Sequence, residues 1–62
     1  MPIVIVEMKE GRTVEQKKQL VAGITTAFVK IGAPAEAVRI ILKDIPKHNF
    51  AVGGKLIWEE PT

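Results

Sequence analysis

The sequence predicts an α+β fold, in which a single β-α-β unit with parallel strands is followed by a C-terminal β-hairpin. A run of β-branched residues occupies positions 3–6, an apolar stripe at helical spacing lies within residues 13–31, and a second segment rich in β-branched residues covers positions 38–45. Strand, helix and strand within about 45 residues form a right-handed crossover, which makes the two strands parallel. We expect one domain over residues 1–62.

The first strand opens with a proline. Residues 3–6 are all β-branched, which predicts a strand buried on both faces. Pro2 is acceptable as the first residue of a strand because it has no N–H to give to the ladder. A second interpretation is also open. Removal of Met1 would make the Pro2 ring nitrogen a free secondary amine, which is a candidate general base.

The helix has recognisable ends. Thr13 and Gln16 have the spacing of a capping box, which predicts that the helix starts at Thr13. Gly32 is the predicted C-terminal stop, and Pro34 follows where a helix cannot continue. One face of the helix is a broad apolar stripe, and the lysines at 17, 18 and 30 fall outside it. A stripe this broad is expected to lie on the sheet. The stripe consists of Leu20, Val21, Ile24, Ala27, Phe28 and Ile31.

The second strand is predicted to end at Pro46 and to be followed by a hairpin. Gly53 and Gly54 stand between two short apolar runs, which is a hairpin signal. A hairpin this short is not stable alone. We therefore expect an arm that lies on a neighbouring copy, with Leu56 and Trp58 as interface anchors. Residues 59–62 are expected to form a loose tail.

Composition favours self-association. Apolar residues make up 47% of a 62-residue chain, yet a monomer of this size buries only about 60% of its unfolded surface. The chain has no cysteine and one histidine, so neither a disulfide nor a metal staple is expected. We predict an obligate homo-oligomer without a structural metal.

Charge and hydropathy exclude other classes of partner. The net charge is +2, and nine basic residues are interspersed with seven acidic ones, which argues against nucleic-acid binding. No apolar run approaches the ~18 residues of a membrane span, and the N-terminus lacks signal-peptide features. We expect a cytoplasmic protein that binds neither nucleic acid nor membrane.

Arg39 is unusual because it interrupts an apolar strand. A guanidinium among apolar side chains costs desolvation unless a carboxylate or a bound anion meets it. Three interpretations are open: an ion pair with Glu36 or Asp44, an outward-facing position, or substrate binding. Arg12 is placed on the loop before the helix, where exposure is ordinary.

Two further side chains are candidates. His48 is predicted to be a surface residue, and Phe50 is either an interface plug or one wall of an apolar pocket. Together with a proline amine, the arginines at 12 and 39 would suit a small dianionic substrate whose proton is to be moved. Ile3, Met8, Phe50 and Val52 are expected to form the apolar pocket around that amine.

Several motifs occur in a recognisable order along nearly the whole chain. They are Met1-Pro2-Ile3 at the start, Glu10-Gly11-Arg12 before a helix that opens with Glu15-Gln16-Lys17, Ala33-Pro34 before Val38-Arg39-Ile40-Ile41, and Phe50 before Gly53-Gly54. In these motifs the sequence resembles the 4-oxalocrotonate tautomerase family. The resemblance implies a homohexamer, a trimer of dimers in which each dimer joins two β-α-β units into one four-stranded sheet.

The resemblance also implies residue roles. Pro2 would be the general base, Arg12 would bind one substrate carboxylate, and Phe50 would line the pocket. Arg39, from a neighbouring subunit, would bind the other carboxylate end and polarise the oxygen. Family members convert 2-hydroxymuconate to 2-oxo-3-hexenedioate in the catabolism of aromatic compounds, and no cofactor is implied.

Two functions other than tautomerisation are open. A hydratase or dehalogenase that acts on an unsaturated acid needs a carboxylate to position water, and residues 47–53 contain none. A non-catalytic oligomeric domain, in which Pro2 and the arginines at 12 and 39 are structural, is the other alternative. A monoacid such as phenylenolpyruvate is a further candidate substrate.

Overall fold

The computed structural model of the chain describes residues 1–57 and has the predicted fold. In this part of the chain the order is β1 (Ile3–Lys9), α1 (Val14–Lys30), β2 (Arg39–Ile45), β3 (Ala51–Val52) and β4 (Lys55–Leu56). Two short 3-10 turns cover Ala35–Ala37 and Lys47–Asn49. β1 and β2 pair in parallel, whereas β3 and β4 pair in antiparallel fashion. The predicted β-α-β unit and C-terminal hairpin are therefore confirmed.

The parallel register fixes which loops lie together. Ile3 pairs with Arg39 at one end of the sheet, and Lys9 pairs with Ile45 at the other. The chain therefore begins β1 and β2 at one edge and leaves both at the opposite edge. Candidate residues that precede the strands are separated from those that follow them by the full length of the sheet.

The sheet has one covered face and one open face. Exposure alternates along β1, and Val4 and Val6 are half-buried whereas Ile3 and Ile5 are 58% and 54% exposed. Ile41 lies beside Ile5 and is 48% exposed. The prediction that β1 is buried on both faces is thus wrong for a single chain. The physical reason is that one helix covers only one face of a two-stranded sheet.

Both helix ends follow the predicted local signals. The Gln16 N–H donates to the Thr13 hydroxyl oxygen at 3.1 Å, and the Thr13 N–H donates to the Gln16 side-chain oxygen at 2.9 Å. At the other end Gly32 has a φ of 108°, and the Ala33 N–H donates to the Phe28 carbonyl at 3.1 Å. A left-handed glycine with this bond is a Schellman ending.

The helix face differs from the prediction. Leu20, Ala27 and Ile31 are exposed, Ile31 by 79%, although the apolar stripe placed them on the sheet. Lys17, expected outside the stripe, is half-buried, and its Nζ lies 2.7 Å from Asp44 Oδ2. A sheet of two strands is narrow and covers only part of the broad stripe. The half-buried helix residues are Lys17, Val21, Ile24, Thr25 and Phe28.

The hairpin turns at the predicted glycines. Gly53 and Gly54 have φ values of 61° and 84°, the pair of positive angles that a type I′ turn requires. The Ile57 N–H donates to the Phe50 carbonyl at 3.1 Å and closes the hairpin. Leu56 is exposed, and its role as an anchor stays a prediction. Trp58 and the tail at 59–62 lie outside the described residues.

A single chain has no interior. None of the side chains in residues 1–57 is buried. The Cα radius of gyration is 15.0 Å, whereas a compact chain of this length has about 11 Å. No helix in this part of the chain is long and apolar enough to cross a membrane.

Candidate functional site

Pro2 and Arg39 are neighbours at the start of the sheet. The Arg39 N–H donates to the Pro2 carbonyl oxygen at 3.0 Å. Exposure alternates through this end of β1, so half-buried Pro2 lies on the same face as Val4, which is the face that the helix covers. Exposed Arg39 lies on the open face, as does Ile3, with which it pairs. The two backbones are therefore adjacent, but their side chains leave the sheet on opposite faces.

The guanidinium of Arg39 has no carboxylate partner within residues 1–57. The alternative of an ion pair with Asp44 is wrong, because Asp44 Oδ2 lies 2.7 Å from Lys17 Nζ. Glu36 makes no ion pair with Arg39 either, so the outward-facing interpretation describes the single chain. An exposed cation without a counter-ion is available to an anion from outside the chain.

Arg12 and Phe50 lie towards the other end of the sheet. Exposed Arg12 is on the loop after β1, and half-buried Phe50 follows β2 and its 3-10 turn. The Glu10 N–H donates to the Ile45 carbonyl at 3.0 Å, and the Lys47 N–H donates to Glu10 Oε2 at 3.3 Å. These two bonds connect the loop that carries Arg12 with the segment that leads to Phe50.

One chain cannot bring all the candidate residues together. β1 contains seven residues, and at about 3.3 Å per residue its ends are ~20 Å apart. Pro2 precedes that strand and Arg12 follows it. A small dicarboxylate cannot reach both, so a site that uses Pro2 and Arg12 together needs at least two copies of the chain.

The predicted apolar pocket does not form in a single chain. Ile3 and Met8 lie on opposite faces of β1, and Ile3 is on the open one. They are also separated by ~16 Å along the strand, so they do not line a common wall. The described residues of one chain enclose no pocket. The expected grouping of Ile3 and Met8 with Phe50 and Val52 is therefore wrong for one chain.

His48 is exposed in the second 3-10 turn, as predicted for a surface residue. Within residues 1–57, no three His, Cys, Asp or Glu side chains gather as metal ligands.

Glu10 and Lys17 were not singled out in the sequence as contact residues. Their partners are 37 and 27 positions away along the chain, so no local pattern indicates them.

These features define a small β-α-β protein with candidate groups at both ends of one sheet and an uncovered sheet face. The family model for tautomerase enzymes matches residues 2–60. The chain therefore belongs to the tautomerase family, and the resemblance seen in the sequence motifs is confirmed. Membership indicates an isomerase activity.

Relatives and solved structures agree with this assignment. A probable tautomerase of Bacillus cereus is 46% identical over 61 residues, which cover 97% of this chain and 100% of the relative. The 2-hydroxymuconate tautomerase of Comamonas testosteroni is 42% identical over 55 residues, or 87% of each chain. A chain of the heterohexamer 4-oxalocrotonate tautomerase from Chloroflexus aurantiacus is 32% identical with a TM-score of 0.82, over 95% of this chain and 97% of that one.

Proposed function

We propose that this protein is a tautomerase that moves a proton in 2-hydroxymuconate-like unsaturated dicarboxylates, with Pro2 as general base once Met1 has been removed. The observation that carries the proposal is Arg39, a guanidinium without a carboxylate partner in the described chain, hydrogen-bonded through its backbone to Pro2. The similarity to the 2-hydroxymuconate tautomerase of Comamonas testosteroni supports the substrate class.

The proposed base requires a free N-terminus. While Met1 is attached, the Pro2 nitrogen is a tertiary amide without a basic lone pair. Met1 is 75% exposed, so its peptide bond is accessible to an aminopeptidase. The freed amine must be neutral to accept a proton, and guanidinium charges brought to it by neighbouring copies would lower its pKa towards neutrality by disfavouring the ammonium form.

The chemistry is one proton transfer in two steps. The Pro2 amine takes the proton of the substrate 2-hydroxyl, and the oxygen becomes a carbonyl as the double bonds shift. The same nitrogen, now protonated, returns a proton to carbon 5, which gives 2-oxo-3-hexenedioate. The substrate conjugation delocalises the charge, so the step needs no cofactor.

The arginines would divide the work of binding and stabilisation. Arg12 would hold one carboxylate of the substrate in a bidentate contact. Arg39 would bind at the other end and stabilise the charge that develops on the reacting oxygen, which is worth about 3 kcal/mol for a single well-placed donor. Phe50 would form an apolar wall of the pocket.

We further propose that the active form is a homohexamer, a trimer of dimers, with each chain acting as a single domain over residues 1–62. The separation of Pro2 from Arg12 along β1 supports a site shared between copies. The opposite faces on which Pro2 and Arg39 project are consistent with an Arg39 supplied by a neighbouring subunit. A pathway for the catabolism of aromatic compounds would supply such a substrate.

The test is ketonisation of 2-hydroxymuconate, followed by ultraviolet absorbance. The protein is prepared with its N-terminal proline confirmed by mass spectrometry. The matched control is the same chain with Met1 retained by inhibiting methionine aminopeptidase during expression. We expect turnover with free Pro2 and a loss of about 100-fold or more with Met1 retained, the scale of a general-base contribution. Equal rates in the two preparations would exclude Pro2 as the base.

Absence of turnover with free Pro2 would favour a non-catalytic oligomeric domain. A hydratase or dehalogenase would instead release a hydrated or dehalogenated acid from the corresponding unsaturated substrate. Both alternatives are therefore separated from tautomerisation by the same protein preparation. Phenylenolpyruvate in the same assay tests whether one carboxylate is sufficient.

A further inference from the structure

The loop that carries Arg12 is tied to the end of β2 through one residue. Glu10 donates its N–H to the Ile45 carbonyl at 3.0 Å and accepts the Lys47 N–H on its carboxylate at 3.3 Å. The two contacts lie on either side of Pro46, where the chain leaves the sheet. Glu10 therefore bridges the end of β2 and the 3-10 turn that follows it.

The loop is held at its other side as well. Thr13 caps α1, and Lys17 on the first turns of the helix binds Asp44 at 2.7 Å. Between these fixed points, Gly11 has a φ of 119°, which side-chain-bearing residues rarely adopt. Arg12 has no side-chain partner in residues 1–57, so its position depends on the bonds that flank it.

Phe50 follows Lys47 by three residues. A bond at the Lys47 N–H therefore fixes the start of the segment that presents the aromatic ring. Because the same Glu10 carboxylate is two residues before Arg12, it couples the position of the guanidinium to that of the ring. Holding two binding groups in their final arrangement lowers the ordering cost of binding a ligand.

We propose that Glu10 is a positioning residue that makes the Arg12 loop and the Phe50 segment one preorganised unit. This inference rests on the proposed function, in which Arg12 and Phe50 contact the substrate and Glu10 does not. An ionised carboxylate suits this role because hydrogen bonds to charged acceptors are stronger than neutral ones. Loosening the unit should weaken substrate binding and leave the proton transfer at Pro2 unchanged.

The test compares Glu10→Ala with Glu10→Gln in the assembled protein. We expect Glu10→Ala to raise KM for 2-hydroxymuconate by about tenfold, the scale of one lost charge-assisted hydrogen bond, with kcat within about twofold of wild type. Glu10→Gln keeps an oxygen acceptor and should restore most of the wild-type KM. Glu15→Ala, on the exposed first turn of α1, is the matched control and should leave KM unchanged.

A second measurement does not depend on catalysis. Hydrogen exchange at the Lys47 amide should accelerate in Glu10→Ala and stay slow in Glu10→Gln, because only the alanine lacks an acceptor. In an Arg12→Ala background, Glu10→Ala should raise KM by clearly less than in wild type, since one of the two groups that it positions is already gone. An unchanged Lys47 exchange rate, an unchanged KM in Glu10→Ala, or additive effects with Arg12→Ala would each overturn the proposal. If wild type shows no turnover, the proposed function fails, and the exchange measurement still decides whether Glu10 couples the two segments.

Discussion

The backbone of Arg39 is fixed by a hydrogen bond, whereas its side chain is exposed. Its N–H is bonded to the Pro2 carbonyl, while no carboxylate in the described chain meets its guanidinium. The sequence indicated an anomaly here because an arginine interrupts an apolar strand. The sequence did not distinguish an ion pair of Arg39 from an outward-facing position, because it does not reveal that Asp44 is already paired with Lys17. The contact of Glu10 gave no signal in the sequence, since its partner is a backbone N–H 37 positions along the chain.

Replacement of Pro2 tests the proposed base. In protein free of Met1, Pro2→Ala should lower kcat by about 100-fold or more and change KM little, because a general base acts in the transition state rather than in ground-state binding. Steady-state kinetics with 2-hydroxymuconate measures both constants. An unchanged kcat would show that the reaction does not need the proline ring nitrogen.

The two arginines should separate kinetically. Arg12→Ala removes a carboxylate contact and is expected chiefly to raise KM, whereas Arg39→Ala should lower kcat by about 100-fold through lost stabilisation of the developing oxyanion. Lys18→Ala, which removes an exposed helix cation, is the control and should change neither constant. The assigned roles are wrong if Arg12→Ala lowers kcat while Arg39→Ala affects KM alone.

Local signals in the sequence were sufficient to predict where the helix ends and where the hairpin turns. Thr13, Gly32 and the glycine pair at 53 and 54 act through bonds within a few residues, so the sequence alone determines them. The covered face of α1 was harder to predict. Ile31 belongs to the apolar stripe but lies beyond the narrow strip that two strands can cover.

The N-terminal cap of α1 is expected to stabilise the folded protein. Thr13→Ala removes an oxygen that accepts the Gln16 N–H and should lower the free energy of unfolding by about 1 kcal/mol. Thr26→Ala is the matched control on the same helix. There the hydroxyl donates only to the Ala22 carbonyl, so the change should be neutral or slightly stabilising. Denaturation at one fixed protein concentration measures both, and equal losses would contradict the capping role.

For the whole molecule, the uncovered sheet face is the dominant feature. Composition predicted self-association, and the described part of the chain supports that prediction because it buries no side chain of its own. The geometry of association could not be predicted from the sequence alone. It depends on which face remains open, and this follows from the pairing of β1 with β2 and from the side on which α1 lies.

The open face yields a prediction about assembly. Ile41→Glu would place a charge beside Ile5 in the middle of the apolar patch, where covering it by another copy costs desolvation. We expect dissociation or a loss of folded protein in analytical ultracentrifugation. Thr26→Glu on the exposed side of α1 is the control and should sediment as wild type. A wild-type sedimentation profile for Ile41→Glu would mean that this face is not an interface.

Pro2 and Arg12 lie at opposite ends of β1, and this separation predicts complementation between two inactive variants. Two defective alleles, one encoding Pro2→Ala and the other Arg12→Ala, should complement each other when their products are unfolded together and refolded as a mixture. A hybrid particle can join the intact proline of one product to the intact arginine of the other. Neither product regains activity when refolded separately, and persistent inactivity of the mixture would mean that both residues serve from the same polypeptide.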